Sequence, residues 1–254
     1  MIRKLVLALC ATAMLGVPLF AQTADELIEK NIKAHGGLTK MKALKSVRMT
    51  GKMKVGPIDA PFTLSKSRPE NVRMEFSVQG MTITQAYDGK TGWAVMPMMG
   101  KKDPEKMSED QIKDITEEAD FDGPLVDYKA KGNKVEVLGK ADVQGTPTYK
   151  MKVTLKNGNE KTIYLDADSY LEIKEESARK IQGQEAETET TIGNYKEVEG
   201  MLFATQVESK IKGKEEMGSQ VFTLDKIELN PTIDTAIYAM PEVKKAEEPA
   251  KKSN

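Results

Sequence analysis

The sequence predicts a mainly β fold with helices: a single curved antiparallel sheet of about ten or eleven strands, its apolar face covered by an N-terminal helix and a helical insertion. Three observations carry this. From Ser46 onward, apolar and polar residues alternate with a period of two over most of the chain. Gly, Pro, Asn and Asp signals cut that alternation at the spacing of an antiparallel meander. Helical spacing is confined to two zones, one before Ser46 and one over residues 108–122. Two stacked sheets satisfy the same pattern almost as well.

The chain opens with MIRKLVLALCATAMLGVPLFA, in which Arg3 and Lys4 precede an apolar run from Leu5 to Phe20. This is the layout of a secretory signal peptide, and the run is short for a spanning helix. Cleavage is expected after Ala21, with Ala24 as the alternative because Leu19 is a poor residue three places before the first site. Cys10 sits inside the apolar run behind Leu9, where lipid attachment wants a small residue, so it does not read as a lipidation site. Loss of Arg3 and Lys4 with the leader leaves 36 basic against 39 acidic residues, a net charge of −3. The expected location is the periplasm.

A helix follows. Thr23 and Glu26 have capping-box spacing, Leu27, Ile28, Asn31 and Ile32 share one stripe, and Gly36-Gly37 stops it. Leu38, Met41 and Leu44 suggest a short second helix. Strands are then expected from Val47 to Val55, around Phe62 and Leu64, from Val72 to Val78, from Met81 to Tyr87, and from Trp93 to Val95 after the turn Asp88–Gly92. Pro97, Gly100 and Pro104 break the pattern over 97–106. The second helical zone begins with the capping pair Ser108 and Gln111 and turns Ile112, Ile115 and Ala119 to one side. Its other side is acidic, from Glu109 to Asp122, and reads as a solvated face, or as a surface that docks a basic partner or repels anionic headgroups. Strands resume near Lys134 and include Tyr149–Leu155, the Asn157-Gly158 hairpin signal, Ile163–Leu165, and segments near 187–197, 201–212 and 219–229, the last with a bulge near Asp225. One domain is expected over 22–241, followed by a disordered Lys/Glu/Ala/Pro tail over 242–254.

Composition removes several function classes. With 38 Lys and Arg against 39 Asp and Glu, there is no electrostatic footprint for nucleic acid. One Cys and one His rule out a disulfide framework, and they rule out metal centres built on clusters of those residues. No cofactor motif and no nucleophile elbow occur. His35 ends the first helix, where it reads as a partner for the helix C-terminus. Asp166 and Asp168, near Asp142 in the chain, lack the glycine and closing glutamate of a calcium loop and read as a turn. An enzyme is not expected.

Six stretches carry a family likeness: residues 26–53 (ELIEKNIKAHGGLTKMKALKSVRMTGKM), 68–76 (RPENVRMEF), 86–97 (AYDGKTGWAVMP), 118–128 (EADFDGPLVDY), 164–176 (YLDADSYLEIKEE) and 223–241 (TLDKIELNPTIDTAIYAMP). In pattern and order they resemble the LolA-like superfamily of outer-membrane lipoprotein-sorting proteins, in its uncharacterised branch. The resemblance implies an unclosed β-barrel with helices as a lid over an apolar cavity, which the carriers use for lipoprotein acyl chains. It transfers no individual functional residue.

The residues point to such a cavity in their own way. Thirteen of the 15 methionines lie outside the leader. Methionine is a flexible, polarizable filler suited to varied apolar shapes. The expected cavity set is Met49, Met53, Phe62, Leu64, Met74, Phe76, Met81, Trp93, Met151 and Val153, with Ile112, Ile115, Phe121 and Leu125 as the lid. The expected function is a periplasmic carrier of a lipid or of lipoprotein acyl chains, monomeric and without a membrane span. The alternative is an envelope sensor or scaffold that binds another protein through the same fold.

Overall fold

The computed structural model describes residues 22–242, except 182, 183, 215 and 217. The expected leader with Cys10, and all but the first residue of the expected tail, lie outside the described residues. Helices α1 (Ala24–Ala34) and α2 (Leu38–Ala43) lead into β1 (Ser46–Val55), β2 (Ile58–Ser67), β3 (Asn71–Val78), β4 (Met81–Asp88), β5 (Gly92–Met96) and β6 (Lys101–Lys106). Helices α3 (Glu109–Ala119) and α4 (Tyr128–Lys131) follow. The remaining strands are β7 (Lys134–Val143), β8 (Thr146–Thr154), β9 (Glu160–Asp166), β10 (Glu172–Ile181), β11 (Gln184–Val198), β12 (Met201–Ile211) and β13 (Gln220–Leu229).

These strands form one 13-stranded antiparallel sheet in the order β6-β5-β4-β3-β2-β1-β13-β12-β11-β10-β9-β8-β7. Each half of the chain is therefore a meander, and the β1–β13 pairing alone joins the halves. The outer strands β6 and β7 remain edges, so the barrel is unclosed, and α3 and α4 run between them on the inner side. Two stacked sheets are not what forms.

More strands form than the alternation predicted. The clearest addition is β6, whose sequence KKDPEK has charges at most positions and a proline, so it carries no period-two signal. It pairs with β5 as a charged edge strand, a composition that discourages pairing with a foreign strand.

Both expected capping boxes form. The Thr23 hydroxyl accepts from the Glu26 amide at the start of α1, and the Ser108 hydroxyl accepts from the Gln111 amide at the start of α3. The bulge also forms, because Thr50 pairs with Lys226 and Gly51 with Leu224, which leaves Asp225 as the extra residue.

Gly51 sits at that junction. A Cβ there would lie 2.0 Å from the Thr223 carbonyl oxygen, a backbone atom that cannot swing aside. Gly51→Ala is therefore expected to spread the one pairing that joins the halves, at a cost of about 2 kcal/mol or more. A urea denaturation midpoint measures this, and an unchanged midpoint would show that the bulge relaxes freely.

The inner face buries three apolar clusters. Leu27 and Ile28 of α1 meet Leu125, Met151, Val153, Ile163 and Leu165. Ile115 and Ala119 of α3 meet Val72 and Tyr87. Leu44, Val47 and Met201 form the third, with Phe121 packed against it. Gly92 has a packing role here, since a side chain at that position would meet the ends of the Ile112 and Met107 side chains, which would have to move aside.

The outer face of β1–β5 is covered by the segment after β13. The Ser46 hydroxyl donates to the Pro231 carbonyl, Arg73 donates to the Ile237 carbonyl, and the Tyr238 hydroxyl bonds that of Ser67. Small side chains at Ser65, Thr84 and Ala86 leave room for this strap and are buried.

Candidate functional site: an apolar cavity under the helical insertion

The inner face of β1–β4 presents the odd residues of β1 and the even residues of β2 and β3. Register puts Met49 opposite Leu64, Leu64 opposite Met74, and Phe62 opposite Phe76. Phe222 of β13 joins them, with ring centroids 5.2 Å from Phe62 and 6.3 Å from Phe76. Phe62 and Phe222 lie on either side of β1. Phe62 stands across from Gly51 and Phe222 across from Met53, so the two rings approach each other diagonally over β1.

Together with α3, these residues enclose a cavity of about 820 Å³. That falls within the range of ligand sites for small organic molecules. The apolar wall is Met49, Phe62, Leu64, Met74, Phe76, Ile192, Val207, Phe222 and Leu224, with Ile115 of α3 facing them. The opposite wall is polar. Lys161 of β9 lies 3.3 Å from Glu117 of α3 and 3.2 Å from Glu175 of β10. The Thr190 and Ser209 hydroxyls bond each other at 2.8 Å. The cavity is thus lined by hydrocarbon on one side and by charge and hydroxyl groups on the other.

The expected cavity residues divide. Met49, Phe62, Leu64, Met74 and Phe76 line the cavity. Met53 and Met81 share the inner face farther toward the hairpin ends, Met53 opposite Ala60 and Met81 opposite Val78, and are not in the lining. Met151 and Val153 are also on the inner face, but α1 and Leu125 cover them completely. Trp93 is on the other face. It pairs with Ala86, is 1% exposed beneath the C-terminal strap, and donates from Nε1 to the Tyr238 carbonyl at 2.8 Å. Its place next to methionines in sequence hid this, since adjacent strand residues point to opposite faces.

The lid residues also divide. Ile115 lines the cavity and Ile112 packs beside it over Gly92. Phe121 lies under the Arg68 guanidinium, and Leu125 belongs to the core beneath α1. The Phe222 wall and the polar wall were not singled out from sequence. The alternation of β12 and β13 holds the signal for Val207 and Phe222, whereas nothing local marks Lys161 or Glu175.

The acidic side of α3 is largely engaged. Glu117 accepts from the side chains of Asn157 and Asn159 as well as pairing with Lys161. Glu118 pairs with Lys66, Asp120 with Lys131, and Asp122 with Lys42 and Arg68. Burial disfavours the Glu117 and Asp122 carboxylates, yet these donors and cations outweigh it and hold both below their ordinary values. These contacts fasten the insertion to both halves of the sheet.

His35 does more than close α1. Its Nδ1 bonds the Leu202 carbonyl at 3.0 Å and its Nε2 meets Glu172 at 2.7 Å. Asn31 and Tyr195 also donate to Glu172. Burial opposes charge on both partners, but their mutual attraction raises the His35 pKa and lowers that of Glu172. The imidazolium contribution is full below the ordinary histidine value of 6.5 and is lost as pH rises through the raised value. The carboxylate contribution is full above 4.5 and is lost as pH falls through the lowered value. The stability gap between the natural protein and His35→Gln is therefore expected to be largest between these two limits. Melting temperatures across that range measure it, and a gap that does not vary with pH would contradict the pairing.

Asp166 accepts from the amides of Asp168 and Ser169, which is the turn its sequence suggested. No helix among the described residues is long and apolar enough to cross a membrane.

No protein-family model and no curated protein matches the sequence. Solved structures do match the fold. A LolA-superfamily protein from Nitrosomonas europaea is 13% identical, with a TM-score of 0.58 over 86% of this chain and 98% of its own. A DUF1329-family protein from Desulfovibrio piger is 10% identical, also at 0.58, over 85% and 97%. A domain assigned to outer-membrane lipoprotein sorting from Vibrio parahaemolyticus is 11% identical, at 0.56, over 85% and 97%. The chain thus shares the LolA-like fold, at identities low enough to place it apart from those proteins in sequence.

Proposed function

We propose that the protein is a periplasmic carrier that holds a lipid, or the acyl chains of a lipoprotein, in the cavity beneath α3. The supporting observation is the cavity: about 820 Å³, walled on one side by methionine, leucine and phenylalanine. Burial of hydrocarbon contributes roughly 0.8 kcal/mol per methylene before ordering costs, so an acyl chain needs no catalytic group to be held. Met49 and Met74 adapt the wall to chains of different shape. The leader expected at residues 1–21 supplies the route out of the cytoplasm.

The test is uptake of a fluorescent acyl-chain probe by delipidated protein, followed by displacement with unlabelled fatty acid. Saturable, displaceable uptake is expected. If the delipidated protein takes up no acyl probe but recovers one envelope protein, the scaffold reading replaces this one.

A further inference from the structure

We infer that the hairpin ends at one end of the sheet form a docking rim for an anionic lipid surface, with the cavity opening toward it. The inference builds on the cavity reading only for the direction in which cargo would pass. Strand alternation places the β1–β2, β3–β4, β5–β6 and β12–β13 connections at the same end of the sheet. Among the described residues five large apolar side chains are exposed, and three of them are here: Ile58 after the β1–β2 turn, with Met98 and Met99 in the β5–β6 turn. Met99 is the most exposed of the five, at 68%.

Isolated exposed apolar residues are ordinary on a protein surface. Two further observations set this group apart. The flanking charge has a basic excess: residues 52–61, 97–104 and 210–218 hold seven lysines against Asp59, Asp103, Glu215 and Glu216. Lys54 stands across from Asp59, and Lys52, Lys54, Lys102 and Lys214 make no ion pair among the described residues. Apolar tips beside a net basic rim match an anionic interface, where the tips enter the headgroup layer and the ammonium groups meet lipid phosphate. The cavity also reaches this end, because its lining runs out to Lys210, Ile211, Gly218 and Gln220 around the β12–β13 hairpin. A surface bound at the rim would face the cavity mouth.

The experiment is flotation of the purified protein with vesicles of phosphatidylcholine alone or mixed with phosphatidylglycerol. Binding to the mixed vesicles is expected, weakened by high salt. The double variant Met98→Ser/Met99→Ser is expected to reduce partitioning about tenfold or more. Lys54→Glu/Lys102→Glu should reduce it on mixed vesicles only. Both double variants should keep natural acyl-probe uptake in solution, which shows that they fold. No flotation on mixed vesicles, or flotation unchanged by the methionine substitutions, overturns the inference. Loss of acyl uptake by the natural protein with flotation intact would remove the cargo reading and leave the rim standing.

Discussion

Phe76→Glu is expected to reduce acyl-probe affinity by a hundredfold or more while the protein still folds and is still exported. Phe76 sits centrally in the apolar wall, its ring 5.2 Å from Phe62 and 6.3 Å from Phe222. A carboxylate there would face hydrocarbon when a chain is bound and water when the cavity is empty. Burying it unpaired is costly in the bound state alone. Phe76 is only partly buried in the empty protein, so the stability loss should be much smaller than the binding loss. Met74→Glu should act in the same direction. Phe76→Leu keeps the wall apolar and is expected to change affinity by less than about tenfold. Equal binding by the natural protein and Phe76→Glu would mean that the chain, if held at all, is held elsewhere.

Trp93→Ala is expected to produce the largest loss of stability, about 3–5 kcal/mol, without altering the cavity. The indole is almost wholly covered, donates to the Tyr238 carbonyl, and lies 5.5 Å from the Arg73 guanidinium carbon. Its removal opens a void and releases the C-terminal strap from β1–β5. Trp93→Phe keeps a ring but drops the N–H, leaving a buried carbonyl without its donor, and should cost about 1–3 kcal/mol. A urea midpoint separates the two. Natural probe affinity in folded Trp93→Phe would confirm that the outer face is separate from the binding face. Weakened affinity would show that the strap and the cavity are coupled.

The fold was legible where local chemistry repeats. Capping boxes announced α1 and α3, alternation announced most strands, and the bulge near Asp225 showed as a switch of apolar face. The edge strand β6 was not legible, because its pairing comes from β5 and not from its own residues. The cavity was half legible. Alternation gave the face for Met49, Leu64, Met74 and Phe76, since a strand side chain's face follows from its parity. It could not say what covers that face. Met151 and Val153 have the same pattern as the cavity residues, but α1 packs onto them. Trp93 falls on the opposite face because it pairs with Ala86, on the outer side of β4. The charged wall was invisible for a different reason. Lys161, Glu117 and Glu175 come from β9, α3 and β10, and only the closing of the sheet brings them together.

The most direct measurement is mass spectrometry of what copurifies with the protein when it is isolated from its own envelope without delipidation. The expected result is near-stoichiometric acyl lipid or acylated protein, lost in Phe76→Glu purified in parallel. Natural protein that carries no acylated species, and takes up none after delipidation, would contradict the carrier reading.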